Sequence, residues 1–169
     1  MEMMDEYMKD YLSDDSSFTA IVNYLLEGKG KRLRPALYFY ILSSNNTEIN
    51  TDMIEIAGAL ETIHLASLVH DDIMDNSEYR RNRESIMKKY STNTAILLGD
   101  YLFAKAFHVL SKYPDKQVVK TATQAFQEMC DGQQRQISMR DKYDISREDY
   151  TQIIEKKTAS LFASSCEIA

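Results

Sequence analysis

The chain has 169 residues, of which 44% are hydrophobic and 27% charged, and its formal net charge is −6. A chain of this size and composition can bury the core of one domain, and its composition indicates neither a disordered nor a fibrous protein. The acidic balance argues against a general nucleic-acid-binding protein, because contacts to a phosphate backbone need a basic surface. Any anion bound here must therefore be held by a local cluster of cations.

The cysteines and the N-terminus bear on where the protein acts. Cys130 and Cys166 are far apart and lack metal-ligand spacing, so neither a disulfide framework nor a zinc site is indicated. The first ten residues, MEMMDEYMKD, are acidic where a signal peptide would be basic. Charged residues interrupt the apolar stretches before they reach membrane-spanning length. We expect a soluble, cytoplasmic protein without a transmembrane segment.

Helix-breaking residues are few, with 5 Gly and 2 Pro in the chain, and apolar residues recur at helical spacing. The pattern predicts an all-α protein of six or seven helices. The first predicted helix covers residues 16–27, with its serines as caps, and stops at Gly28. Pro35 suits the first turn of the second, over residues 35–44.

The longest predicted helix begins with Thr51 or Asp52 as its cap and runs to Asp75; because it is the most apolar, we expect it to be central. Three more predicted helices follow it, at 92–112, 115–137 and 146–168. No internal repeat or linker divides the chain, so residues 1–169 are expected to belong to one domain.

Three aspartates gather at the end of the long helix, in the stretch LVHDDIMD at 68–75. Asp71 and Asp75 lie one helical turn apart on the same face, and Asp72 is close beside them. Their charges repel one another and oppose the helix dipole unless a cation is present. Mg²⁺ suits them, because it commonly combines one or two carboxylates with substrate phosphates. A solvated acidic helix end is the alternative reading.

Two basic clusters could hold the diphosphate that such a site needs. Arg80 and Arg81 follow the aspartates, and their planar guanidinium groups match phosphate oxygens. Lys31, Arg32 and Arg34 lie in a glycine-flanked loop, where they repel one another unless an anion neutralises them. For both clusters the alternative is an ordinary solvated surface.

Polar residues on two of the predicted helices are further candidates. His64 lies two turns before Asp71 on the same helix face, although a lone histidine on an apolar helix is more often a satisfied core residue. Lys157 and Thr158 lie on the last predicted helix, where they could reach the same cavity or be ordinary polar helix residues.

Five motifs together resemble the trans-isoprenyl diphosphate synthases, in particular the bacterial medium- and long-chain (hexa-, hepta- and octaprenyl) enzymes. They are GKRLRP at 30–35, IHLASLVHDDIMD at 63–75, RR at 80–81, GDYLFAKAF at 99–107 and KTASLF at 157–162. Their order and spacing cover the chain from about Gly28 to its end. Agreement of all five motifs is far more specific than agreement of any one.

The resemblance implies an isoprenoid synthase type helical bundle around a deep cavity, acting as a homodimer or as a heterodimer with a second subunit. It implies a Mg²⁺-dependent condensation of isopentenyl diphosphate with an allylic diphosphate, such as farnesyl or geranyl diphosphate. Carried over by position, it assigns the metal to Asp71 and Asp75, with Asp72 in support; isopentenyl diphosphate to Lys31, Arg34, His64 and Arg81; and the allylic diphosphate to Arg80, Lys157 and Thr158.

The same resemblance bears on product length. Ala66 and Ser67 stand five and four residues before Asp71, where family members with short products commonly carry a bulky aromatic residue. Small residues leave room for a growing chain, so we expect a product longer than geranylgeranyl diphosphate. A carbocation must be kept from water, and we expect the long helix to supply an apolar cavity wall from Ile56, Leu60, Ile63 and Leu68.

The sequence departs from the family pattern in two ways. Asn82 stands where the family usually has glycine, and the second aspartate-rich motif does not occur before Ala169. The chain is therefore expected to correspond to the N-terminal half of a synthase and could be inactive by itself. A noncatalytic or partner-dependent subunit that binds prenyl diphosphate is the alternative function. The basic loop, needed for a second diphosphate, argues against a terpene cyclase.

Overall fold

The structure is a computed structural model that describes residues 1–13, 16–28, 30–140 and 142–169. Helices account for most of it, which confirms the predicted all-α class. They are α1 Glu2–Leu12, α2 Thr19–Glu27, α3 Leu33–Ser44, α4 Thr51–Met74, the single turn α5 Ile86–Lys89, α6 Thr92–Ser111, α7 Lys116–Met139, α8 Arg147–Ile154 and α9 Ser160–Ile168. A short antiparallel hairpin pairs β1, Tyr79–Arg80, with β2, Arg83–Glu84.

The central position predicted for the long helix is confirmed. Helix α4 packs against α1, α3, α5, α6 and α9, and its residues 56–63 are buried on every side. A helix segment that is buried and mostly apolar on every side is typical of a protein interior. The core therefore holds α4 rigidly, and with it the aspartates at its C-terminal end. None of the helices in the described ranges is long and apolar enough to cross a membrane.

Helix α1 was not among the predicted elements. Its buried residues are Met4, Met8 and Leu12, each about 1% exposed. They recur every four residues and so form one apolar stripe, which packs on α4. The acidic residues that interleave them hid this stripe from the sequence analysis.

Two predicted helix starts were wrong. The side chain of Asn50 caps α4 by accepting a hydrogen bond of 3.0 Å from the backbone N–H of Met53, so neither Thr51 nor Asp52 is the cap. Helix α2 begins at Thr19 and has no side-chain cap, so the serines before it do not serve as one. Asparagine is as good an N-cap as aspartate or serine, and local sequence alone could not choose among them.

The last predicted helix is interrupted by a π turn, Glu155–Ala159, which separates α8 from α9. Gly132 of α7 lies against this turn so closely that a Cβ there would come within 2.4 Å of the backbone nitrogen of Lys157. Single π turns inside helices occur frequently at functional sites. Glycine at 132 is therefore what allows the two backbones to meet at Lys157.

The hairpin explains how asparagine can replace the family's usual glycine. Its two-residue turn consists of Arg81 and Asn82, with φ angles of 52° and 63°. Both residues have the left-handed backbone conformation, as in the type I′ turns that connect the strands of two-residue hairpins. Asparagine tolerates this conformation better than most residues, so the loop keeps its shape without glycine.

Candidate functional site

The C-terminal end of α4 presents Asp71 and Asp75 toward α7 and the π turn. A carboxylate oxygen of Asp71 lies 3.4 Å from Nζ of Lys157. Asp75 accepts a hydrogen bond of 2.5 Å from Nη2 of Arg140, and Nη1 of Arg140 lies 3.3 Å from the carbonyl oxygen of Met74. Each of the two proposed metal ligands therefore has its own cation in this structure.

Asp72 points away from that face and toward the hairpin. Its Oδ1 accepts a hydrogen bond of 2.8 Å from Nε of Arg80 and also lies 2.8 Å from Nη2 of that residue, and Asp72 is 5% exposed. This ion pair joins the hairpin to α4. Asp72 thus anchors Arg80 beside the acidic face rather than sharing that face with Asp71.

The donor set at the end of α4 fits a hard divalent cation. Burial raises the pKa of Asp71 and of Asp72; Lys157 and Arg80 respectively oppose the rise, while neighbouring aspartates add to it. Within the described ranges, no group of three or more His, Cys, Asp or Glu side chains is arranged to hold a metal ion. Two carboxylates one turn apart match what Mg²⁺ commonly takes from a protein when phosphates supply further oxygens.

The four residues predicted to bind isopentenyl diphosphate, Lys31, Arg34, His64 and Arg81, line one cavity of about 390 Å³, which we call the cationic pocket. Its lining residues are Gly30, Lys31, Arg32, Leu33, Arg34, Glu61, His64 and Arg81. Arg81 reaches it from the hairpin turn, and its Nη1 donates a hydrogen bond of 2.8 Å to the carbonyl of Gly28. Of the two adjacent arginines of the hairpin, Arg81 lines the cationic pocket and Arg80 does not, although both line the small cavity beside Asp72.

Glu61 is a pocket residue to which the sequence analysis gave no role. It is 3% exposed and accepts a hydrogen bond of 2.9 Å from Nη1 of Arg32, which also pairs with Asp5 at 2.9 Å. Burial raises the pKa of Glu61, and Arg32 is the strongest opposing influence. Its place in the sequence could have identified it, because Glu61 lies one turn before His64 in a mostly apolar part of α4. One carboxylate offsets part of the repulsion among the pocket's cations.

Two residues of the cationic pocket are largely desolvated. Burial, helped by the charges of Arg34 and Arg81, lowers the pKa of His64 to about 3, so its imidazole is neutral at physiological pH. Burial also lowers the pKa of Arg34, and Nε of this residue has no hydrogen-bond partner among the described residues. The pocket therefore combines cationic donors with a neutral imidazole.

An apolar cavity of about 280 Å³ opens on the Asp71 side of α4. It is lined by Ser67, His70, Asp71, Met74, Phe103, Phe126, Met129, Cys130, Gln133, Gln134, Ile137 and Lys157. The rings of Phe103 and Phe126 lie 4.2 Å apart between their centroids within this lining. An elongated apolar group with a charged head at Lys157 would fit the chemistry of these walls.

The predicted cavity wall was wrong in part. Ile56, Leu60 and Ile63 belong to the hydrophobic core and do not line this cavity, while Leu68 lines a smaller cavity beside Asp72. Helical spacing identifies buried positions, but whether a buried position meets another helix or a cavity depends on packing.

The two residues predicted to set chain length, Ala66 and Ser67, differ in their position relative to the apolar cavity. Ser67 lines the apolar cavity, whereas Ala66 is 0% exposed in the core and does not line it. His70, to which no role was assigned, lines the cavity, and its Nε2 lies 3.1 Å from the carbonyl oxygen of Ile96. Thr158 lies on a neighbouring groove that also contains Arg140 and Lys157.

The chain resembles known proteins over nearly its full length. The model of the polyprenyl synthetase family matches residues 15–169. The chain belongs to this family. A short chain isoprenyl diphosphate synthase of Methanocaldococcus jannaschii is 35% identical over 99% of this chain and 52% of its own length.

A second relative and one solved structure support the membership of this chain in the polyprenyl synthetase family. Heptaprenyl diphosphate synthase component 2 of Geobacillus stearothermophilus is 36% identical, over 86% of this chain and 45% of its own length. The crystal structure of a Caulobacter crescentus polyprenyl synthase with calcium and isoprenyl diphosphate superposes with a TM-score of 0.92 at 28% identity, covering 99% of this chain and 51% of that one. The chain thus spans about half the length of the relatives it matches, and the predicted isoprenoid synthase type bundle is confirmed.

Proposed function

We propose that this protein is the N-terminal, diphosphate-binding part of a Mg²⁺-dependent trans-polyprenyl diphosphate synthase, within one all-α domain to which residues 1–169 belong. In this reaction the bond between the allylic carbon and its diphosphate breaks, the allylic carbon bonds to isopentenyl diphosphate, and a proton is lost. The observation that carries the proposal is the convergence of Lys31, Arg34, His64 and Arg81 on one pocket. That pocket flanks the helix whose end pairs Asp71 with Lys157.

Mg²⁺ would be held by Asp71 and Asp75, with Asp72 in support through its ion pair with Arg80, and when bound it would neutralise charge on the departing diphosphate. Lys157 and Arg80 carry the protein's own share of that neutralisation. Lys157 lies 3.4 Å from Asp71, and Arg80 is fixed by Asp72. Cations held in place before reaction stabilise developing negative charge more effectively than mobile ones. Thr158 would add a hydroxyl contact beside Lys157.

Isopentenyl diphosphate would occupy the cationic pocket. Lys31, Arg34 and Arg81 would bind its phosphate oxygens, and the neutral His64 would donate a hydrogen bond without adding charge. A farnesyl or geranyl diphosphate would lie with its head at Lys157 and its chain in the apolar cavity. Walls such as Phe103, Met129 and Ile137 would keep water from the carbocation.

Product length follows from how the apolar cavity ends. Ser67 is a small residue that lines the cavity one turn before Asp71, and a product longer than geranylgeranyl diphosphate is proposed on that ground. The relatives' names do not decide the matter, because they include both a short chain and a heptaprenyl synthase. Dimer formation and action in the cytoplasm are part of the same proposal.

A partner-dependent subunit is the second candidate, and one comparison favours it. The Geobacillus relative is named as component 2 of a heptaprenyl synthase, and this name points to a multi-subunit enzyme in that organism. Under this alternative the chain would bind prenyl diphosphate and need a second subunit for turnover.

The test is an elongation assay. The 169-residue chain, and the natural reading frame that contains it, are incubated with Mg²⁺, farnesyl diphosphate and labelled isopentenyl diphosphate, and products are resolved by chain length. Elongation beyond twenty carbons by the natural reading frame supports the proposal. If neither protein elongates the primer, although both bind it, the partner-dependent subunit is favoured. If neither binds a prenyl diphosphate, both candidates fail.

A further inference from the structure

The guanidinium group of Arg34 is held in an unusual environment for a cation. Arg34 is 9% exposed, and its side chain makes no hydrogen bond to another residue in the described part of the chain. Its guanidinium carbon lies 4.4 Å from the centroid of the Phe162 ring. The ring is therefore one contact that offsets the cost of burying this charge, and the Glu61 carboxylate of the cationic pocket also favours the charged form.

An aromatic ring suits this role for electrostatic and geometric reasons. The ring face carries partial negative charge and attracts a guanidinium group, more strongly where water is excluded. Stacking also leaves the N–H donors at the edge of the guanidinium plane free for an anion. Arg34 lines the cationic pocket, and its Nε is buried without a hydrogen-bond partner in the described part of the chain.

Phe162 also has an informative position in the chain. It lies on α9, one helical turn after Thr158, and α9 begins directly after the π turn that carries Lys157. Helix α3, which carries Arg34, packs on α9. One helical segment therefore supports the proposed allylic head group at one end and the proposed isopentenyl diphosphate pocket one turn later.

We propose that Phe162 is a positioning residue for isopentenyl diphosphate, acting as the platform on which the Arg34 guanidinium is oriented toward the cationic pocket. This inference rests on the proposed function of that pocket. It assigns Phe162 no contact with the substrate itself. Its consequence is that the aromatic face, and not merely an apolar side chain, is required at position 162.

The first test compares affinities for isopentenyl diphosphate by calorimetry in wild type, Phe162→Leu and Phe162→Tyr. Loss of the ring should weaken binding roughly three- to thirty-fold, whereas tyrosine, which keeps the ring, should stay within about twofold of wild type. Phe39→Leu is the matched control, since it removes a partly buried ring from α3 that packs edge-on against Tyr38. It should leave affinity unchanged at a comparable loss of thermal stability.

A second variant separates the ring's charge distribution from its shape. Incorporation of pentafluorophenylalanine at 162 keeps an aromatic ring but withdraws electron density from its face, so affinity should fall about as far as in Phe162→Leu. Affinity equal to wild type in both Phe162→Leu and the fluorinated protein overturns the inference and leaves the proposed function standing. Equal losses in Phe162→Leu and Phe39→Leu overturn it too. If wild type itself fails to bind isopentenyl diphosphate, the proposed function fails first.

Discussion

Arg140 donates a hydrogen bond of 2.5 Å to the carboxylate of Asp75, and so joins the C-terminal end of α7 to that of α4. With Lys157 beside Asp71, it places a protein cation on each carboxylate of the proposed metal site. Any divalent ion that binds Asp75 must displace or share this contact. Arg140 is therefore expected to weaken metal binding when no diphosphate is present.

Replacing Arg140 by Gln should accordingly tighten divalent-metal binding. The Arg140 side chain is 48% exposed, and an exposed ion pair contributes at most about 1 kcal/mol, so the gain should not exceed roughly fivefold. Mn²⁺ binding followed by electron paramagnetic resonance at low ionic strength measures it. Arg135→Gln is the control, because Arg135 lies in α7 shortly before Arg140 but pairs with Asp131. Unchanged or weaker Mn²⁺ binding in Arg140→Gln would contradict the claim that Arg140 competes with the metal ion for Asp75.

The contact between Gly132 and the π turn predicts an unusual response to alanine. Alanine normally favours a helix over glycine by about 1 kcal/mol, but here its Cβ would meet the backbone of Lys157 at 2.4 Å. Gly132→Ala should therefore destabilise the fold by about 1 to 3 kcal/mol. Gly58→Ala is the control, since its nearest contacts would be side-chain atoms of Tyr7 and Met8 at 3.1 Å or more.

Chemical denaturation of both glycine variants gives these stabilities. Gly58→Ala should change stability by less than about 1 kcal/mol, because flexible side chains can shift by a few tenths of an ångström. An equal effect of the two substitutions would mean that the close approach at Lys157 does not constrain α7.

The hairpin turn predicts a graded series at Asn82. Its φ of 63° lies in the left-handed region, where glycine has no penalty and alanine costs about 1 kcal/mol or more. Asn82→Gly should preserve or slightly raise stability, whereas Asn82→Ala should lower it by about 1 kcal/mol. Thermal unfolding of the three proteins tests the order, and an alanine variant as stable as the glycine variant would exclude a left-handed turn.

The buried His64 predicts an acid-sensitive contribution to stability. Its pKa is lowered from 6.5 to about 3 in the folded protein, so below pH 6.5 the unfolded chain takes up a proton that the folded protein does not. Stability from this residue is present above pH 6.5 and is lost as pH falls toward 3. The loss approaches roughly 1.4 kcal/mol per pH unit within that window, less any relief from partial solvation.

His64→Gln should remove this slope while leaving the contributions of the acidic residues in place. The measurement is the free energy of unfolding from pH 7 to pH 5 in wild type and variant, with the exposed His108→Gln as control. If the free energy of unfolding changes with pH equally in wild type and His64→Gln, His64 has the same pKa in the folded and the unfolded protein.

Features of this molecule that depend on residues close together in the sequence could be predicted from local motifs. The helical class, the central position of α4 and the grouping of basic residues near its end all follow from periodicity and from the family resemblance. Partners that are distant in the sequence did not follow: Arg140 is 65 positions from Asp75, and Phe162 lies near the other end of the chain from Arg34. The wrong assignment of Ile56 to the cavity has the same origin, since packing decides which buried face meets empty space.

The most direct test of the central claim is a calorimetric titration of farnesyl thiodiphosphate, a slowly reacting analogue, into wild type and Asp71→Asn with and without Mg²⁺. Asp71→Asn keeps the shape of the side chain and removes its charge. We predict tight binding by wild type that requires Mg²⁺, and the loss of most of that Mg²⁺-dependent affinity in Asp71→Asn. Equal affinities with and without Mg²⁺, or in the two proteins, would contradict a metal-assisted diphosphate site at the end of α4.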